Sequence, residues 1–125
     1  MDLGSIKAQI EKSREIDTEY GGVKFLLRLP SEHAWRLITE DHLDPKGRVQ
    51  HARVSRGLVD VSLIGWEGLK AEFLVSGAGD TPVPFSADAV ALLLDERVDV
   101  LDHLTMFLTK QYQKRRAKQE ASRKN

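Results

Sequence analysis

Four histidines, two adjacent pairs of carboxylates, a glycine-rich stretch and a run of basic residues are the side chains of this 125-residue chain whose types could do chemistry. Metal sites draw their ligands at close helical or turn spacing, such as two histidines four residues apart. His33 and His42 stand nine apart, about two and a half helical turns, which sends them to opposite faces of one helix. Neither they nor His51 and His103 adjoin an obvious nucleophile, and ordinary surface or half-buried histidines are expected. No serine sits in a Gly-x-Ser-x-Gly elbow. Glu40-Asp41 and Asp95-Glu96 fall at expected helix ends and read as solvated turn acids. Gly77-Ala78-Gly79 is half of a phosphate-binding loop, but Asp80-Thr81-Pro82 follows, placing an acid where a phosphate would sit. The chain has no cysteine, so disulfides and thiolate metal sites are impossible, which fits a reducing compartment. The expectation is therefore a protein that is not an enzyme, with no cofactor and no metal.

Charge is the next candidate. The net charge is zero, yet residues 110–125 hold seven basic side chains against the single acid Glu120. Residues 1–109 are correspondingly acidic, with 12 basic and 18 acidic groups. The cluster Lys114-Arg115-Arg116-Ala117-Lys118 could neutralise phosphates. Against nucleic-acid binding as the main task stand the acidic body and the presence of Tyr112 alone as a nearby stacking aromatic. Basic residues late in a helix also complement its negative end. Trp66, between Gly65 and Gly68, has two readings: a core-capping tryptophan beside a sharp turn, or an aromatic anchor for a partner.

These residues need elements to position them. Leu3, Ile6, Ile10 and Ile16 predict a short amphipathic helix over 3–16, broken by Tyr20-Gly21-Gly22. Val23 to Leu29 reads as a strand. Pro30-Ser31 then starts a helix, with Ser31 as cap and Ala34, Trp35, Ile38 and His42 inward, ending at Asp44-Pro45-Lys46-Gly47. Leu58, Val59, Val61, Leu63 and Ile64 predict a second strand over 57–65, and Gly65 to Gly68 a turn. Phe73-Leu74-Val75 suggests a short third strand, and 76–82 a loop. Ser86 caps a helix with Val90, Leu93 and Leu94 inward. A last helix begins near Asp99, with Val98, Leu101, Leu104, Thr105, Leu108 and Tyr112 at helical spacing. Its stripe fades after Tyr112.

The expected fold is α+β: a small antiparallel sheet of two or three strands packed against about four helices, with a basic C-terminal tail. Residues 1–113 form one domain, and 114–125 a basic, flexible tail. A composition of 41% hydrophobic residues supports a modest core rather than a disordered chain. The N-terminal residues show no secretory leader, and the longest apolar runs hold about six residues where a membrane helix needs roughly 20. A soluble, cytoplasmic protein is expected.

A family resemblance can now be drawn. Leu58-Val59 and Leu63-Ile64-Gly65-Trp66-Glu67-Gly68-Leu69 are followed by a short loop, by Pro82-Val83-Pro84-Phe85-Ser86, and by the apolar stretch Ala89 to Leu94. With Phe25-Leu26-Leu27-Arg28-Leu29-Pro30-Ser31 upstream, this order resembles the small phage and prophage tail assembly chaperones. Those proteins show a Gly-Trp-Glu-Gly-like step, a loop, a Pro-Phe-Ser/Thr entry into a Leu-rich helix, and a second C-terminal helix. The likeness spans about residues 23–112. It implies a non-enzymatic protein of the bacterial host cytoplasm that coats the long tape measure protein during phage morphogenesis, delivers it to tail assembly and leaves. In many such phages the gene also yields a longer, frameshifted product. No catalytic, cofactor or metal residue carries over, because the family has none.

A chaperone for a long helical client needs apolar stripes that bind and release. The partner-binding candidates are Trp66, Leu101, Leu104, Phe107, Leu108 and Tyr112, with the Ile6/Ile10 stripe as a second surface. Core packing competes for most of these side chains. Two rival readings stand beside the chaperone. One is a phage structural subunit such as a tail terminator or head–tail connector, which would close into a ring. The other is a small nucleic-acid-binding protein using the basic tail, whose binding would depend steeply on salt.

Overall fold

The computed structural model describes residues 1–123. Helix α1 (Leu3–Ser13) starts at an N-cap, Asp2, whose carboxylate accepts from the Ser5 N–H at 2.7 Å. It ends three residues earlier than the sequence suggests, and Ile16 leaves the helix for a strand. The reason lies in Glu15-Ile16-Asp17-Thr18-Glu19-Tyr20, which alternates acid with inward side chain at period two. That pattern makes strand β1 (Glu15–Tyr20), and Gly21 and Gly22, with φ of 59° and 81°, close a two-residue hairpin into β2 (Val23–Arg28).

Helix α2 (Glu32–Asp41) is capped by Ser31, whose hydroxyl accepts from the Ala34 N–H at 3.0 Å. The Asp44 carboxylate organises the following turn by accepting from the backbone N–H groups of Lys46 and Arg48. Residues 57–62, expected in a strand, instead belong to helix α3 (His51–Ser62). The short alternation there competes with a longer stripe at spacings of three and four, Val54, Ser55, Leu58, Val59 and Ser62, which the structure turns inward. Strand β3 (Leu63–Glu67) follows directly, so Gly65 and Trp66 lie in a strand rather than a turn; Gly68, at φ 82°, is the turn residue.

The three strands form one antiparallel sheet in the order β1-β2-β3. Phe73-Leu74, expected in a third strand, form a single helical turn, α4 (Ala71–Leu74), held where the Val83 N–H donates to Leu69 O. Helix α5 (Ala87–Glu96) begins at the expected Ser86 cap and buries Val90, Leu93 and Leu94. Helix α6 (Val98–Arg123) is one unbroken rod. Segment 114–123 therefore continues α6, where a flexible tail was expected; Lys124 and Asn125 lie outside the described residues. Its residues are strong helix formers added to a helix already nucleated, and Arg116 pairs with Glu120 one turn on at 3.3 Å. The described residues thus hold six helices rather than about four.

One core joins these elements. The inner sheet face contributes Val23, Phe25, Leu27 and Leu63; α3 adds Leu58 and Val59; α5 adds Val90, Leu93 and Leu94; α6 adds Val100, Leu104 and Leu108. Val98, expected inward, is exposed, because the buried stripe of α6 runs through Val100 one residue pair later. The outer sheet face matches charges across strands, Glu15 opposite Arg28 and Lys24 between Glu19 and Glu67, around Leu26 at its centre.

Ser62 is the one polar side chain in this core, fully buried, and its hydroxyl has no hydrogen-bond partner. An unsatisfied buried hydroxyl costs about 1–3 kcal/mol. Ser62→Ala is expected to raise the unfolding free energy in urea by roughly 1 kcal/mol. A loss of stability instead would mean that the hydroxyl has a partner.

Candidate functional site

The expected partner-binding side chains divide by burial. Leu104 and Leu108 are wholly inside the core, while Leu101, Phe107 and Tyr112 are half-buried and packed against it. Tyr112 lies flat on Trp35 of α2, ring centroids 4.1 Å apart and planes 9° from parallel. Trp66 faces inward opposite Phe25, its indole N–H donating to Val83 O at 2.8 Å and its ring meeting the edge of Phe85. The α6 stripe therefore closes the domain, and Trp66 ties β3 to the strand-like segment entering α5.

One helix, α1, presents a free apolar stripe. None of its side chains is buried, and Leu3, Ile6 and Ile10 remain 80%, 41% and 41% exposed along one face with Arg14 at its end. This is the second surface expected from the sequence. It adjoins a feature that sequence reading misses, a cleft of about 120 Å³ between the end of α1, the β2–α2 turn and the distal half of α6. Arg14, Arg115, Arg116 and Arg123 line it, with Glu32 as the acid among them. Arg14 is fixed there because its carbonyl accepts from the Leu29 N–H at 2.9 Å. Arg115 donates to the Ser13 carbonyl at 3.1 Å, binding α6 to the C-terminal turn of α1 across 102 residues of sequence. No local motif could have announced that separation.

The most connected polar cluster ties the start of α6 to the sheet. Arg97 donates to both carboxylate oxygens of Asp99 at 2.8 and 2.9 Å and to Phe73 O at 2.6 Å, lying 3.9 Å from the centre of the Phe73 ring. The Tyr20 hydroxyl donates to the same carboxylate at 2.8 Å. The Arg97 guanidinium, then the Tyr20 hydroxyl, hold the Asp99 carboxyl well below the usual carboxylate range. Tyr20 is pushed up in turn by its bond to Asp99. His103 joins this end of the domain through Thr18, Oγ1 to Nε2 3.0 Å, and through the Tyr20 ring. His42 reaches toward Gly57 on α3, and His33 and His51 are exposed. Among the described residues no three His, Cys, Asp or Glu side chains gather as a metal site would require, and no helix is long and apolar enough to cross a membrane.

Fold and surface together define a small α+β protein whose exposed chemistry is an amphipathic helix beside an arginine-lined cleft. No protein-family model, curated protein or solved structure matches this chain.

Two measurements check these assignments. Leu104→Ala is expected to cost about 2–5 kcal/mol in chemical unfolding. Met106→Ala, on the opposite face of α6 and 61% exposed, should change stability by less than about 0.5 kcal/mol. Equal effects would refute the orientation of α6. For Asp99, the folded pKa lies below the unfolded value of about 3.9, so its contribution is complete above that value and disappears as pH falls through the folded one. Asp99→Asn should lower the thermal midpoint at neutral pH, and the gap to the parent protein should narrow progressively as pH falls below about 4. A gap independent of pH over that range would contradict the coupling.

Proposed function

We propose that this chain is a non-catalytic phage tail assembly chaperone-like protein that binds the long tape measure protein in the host cytoplasm during morphogenesis and is then released. The observation that carries the reading is α1, an amphipathic helix whose entire apolar face lies outside the core. Further support comes from the order of Gly65-Trp66-Glu67-Gly68, Pro84-Phe85-Ser86 and the Leu-rich α5, which resembles that family.

The energetics suit transient binding. Covering what remains exposed of Leu3, Ile6 and Ile10 yields on the order of 3 kcal/mol, at about 2 kcal/mol for each fully covered Leu or Ile side chain. Association costs several kcal/mol in lost freedom, so one such helix binds weakly and lets go easily. A long client offering repeated sites would restore occupancy through many weak contacts. Core side chains of α6 take no part.

The test is recovery of tagged protein from cells expressing the neighbouring genes, with co-eluting chains identified by mass spectrometry. A very long, helix-rich protein is expected in the eluate. Ile6→Asp combined with Ile10→Asp should cut its recovery about tenfold or more, equivalent to at least about 1.4 kcal/mol. The same variant should lower the thermal midpoint far less than a core substitution such as Leu104→Ala, because Ile6 and Ile10 lie outside the core cluster. A discrete ring of copies with only tail-tube or head proteins would replace this reading with a structural subunit. Nucleic acid alone, lost steeply with salt, would replace it with a nucleic-acid-binding role.

A further inference from the structure

The arginine cleft carries an inference beyond the choice of client. Four arginines, one at the C-terminal end of α1 and three on α6, line it with one acid, Glu32. Arg115 is occupied by the Ser13 carbonyl, and Arg116 by a half-exposed pair with Glu120. Among the described residues neither Arg14 nor Arg123 pairs with an acid. Complementing the negative end of α6 accounts for Arg123, but not for Arg14, which arrives from another element. Guanidinium forks are suited to planar oxyanions, which they bind through paired N–H donors.

We infer that this cleft, together with the adjoining stripe of α1, is the docking site for an amphipathic helical segment of a partner that carries carboxylates beside its apolar face. Arg14 lines both the stripe and the cleft, so the two surfaces are continuous. A segment laid along Leu3, Ile6 and Ile10 would deliver a glutamate or aspartate to Arg14, Arg116 and Arg123. The cleft has room for a carboxylate or a phosphate, and the surroundings favour the carboxylate. Tyr112, the aromatic side chain in its lining, is stacked on Trp35 and closed to a nucleobase. An apolar stripe also complements a helix better than a phosphate backbone, and the acidic body repels an extended polyanion.

This inference rests on the reading of the chain as a partner-binding protein and adds the chemistry of the partner. The probe is a synthetic alanine-based peptide of about 18 residues, long enough to hold a helix, with leucines on one face and glutamates beside them. Its binding to the full chain is followed by fluorescence anisotropy. The glutamate peptide should bind, and the same peptide with lysines in place of glutamates should not. Arg14→Glu with Arg116→Glu should weaken binding about tenfold or more. Lys114→Glu with Lys118→Glu makes the same change of charge on exposed positions outside the cleft and should weaken it less than about threefold. Circular dichroism of both variants verifies the fold. Equal losses in the two variants, equal binding of the lysine peptide, or tighter binding of a single-stranded thymidine oligonucleotide would each overturn the site. Undiminished recovery of the tape measure protein by the cleft variant would overturn the site and leave the function standing. Glutamate-peptide binding that obeys these expectations, with no tail protein recovered from cells, would do the reverse.

Discussion

Val100, Leu104 and Leu108, spaced four residues apart on α6 and completely buried, close a sheet that can bury only one face. Three strands give no second layer of their own, so Val23, Phe25 and Leu27 stay dry only while helices lie across them. Helix α6 packs against β1, α3 and α5 at once, and α3 touches both α6 and β3. Arg97 and Asp99 anchor the start of that helix to Tyr20 and Phe73 at the hairpin end of the sheet. The direction of the rod is thereby set at its first turn.

That direction has a consequence far from the core. A helix of 26 residues is about 39 Å long, and its buried stripe ends at Leu108. The remaining turns are carried on by the stiffness of the helix, and they hold six of the chain's 19 basic residues against one acid, Glu120. Because the rod runs beside the C-terminal turn of α1, its arginines meet Arg14, and Arg115 reaches the carbonyl that helix α1 leaves unsatisfied at Ser13. The apolar face of α1 and the arginine cleft are adjacent for this reason alone. Core and candidate docking surface share α6, but they use different halves of it.

Much of the architecture was legible where a signal was both local and uncontested. Ser31 and Ser86 accept the capping bonds expected of them, and Val90, Leu93 and Leu94 face inward as their spacing requires. Two misreadings came from signals that were present but outweighed. The alternation Glu15 to Tyr20 ahead of Gly21-Gly22 is a hairpin pattern, and Ile16, six residues past Ile10, is out of phase with the helical stripe of Ile6 and Ile10. Leu58 to Ile64 fits a strand over six or seven residues, yet a helical stripe from Val54 to Ser62 fits over nine, and packing between α2 and α6 selects the helix. The partner-binding residues show the limit of periodicity. A stripe of Leu104, Leu108 and Tyr112 reads alike whether it faces a partner or the interior, and only the position of the sheet decides.

By itself the sequence determined the local chemistry: caps, an α+β alternation of elements, an apolar stripe on the first helix, a basic run at the end, and no cysteine. These follow from propensity, hydrogen-bonding side chains and period, which act over a few residues. Tertiary structure alone decided which stripes are buried and brought Arg14 to Arg115 and Arg116. Those outcomes depend on groups about a hundred residues apart in the chain, whose meeting is set by how one long helix must lie to cover a one-faced sheet.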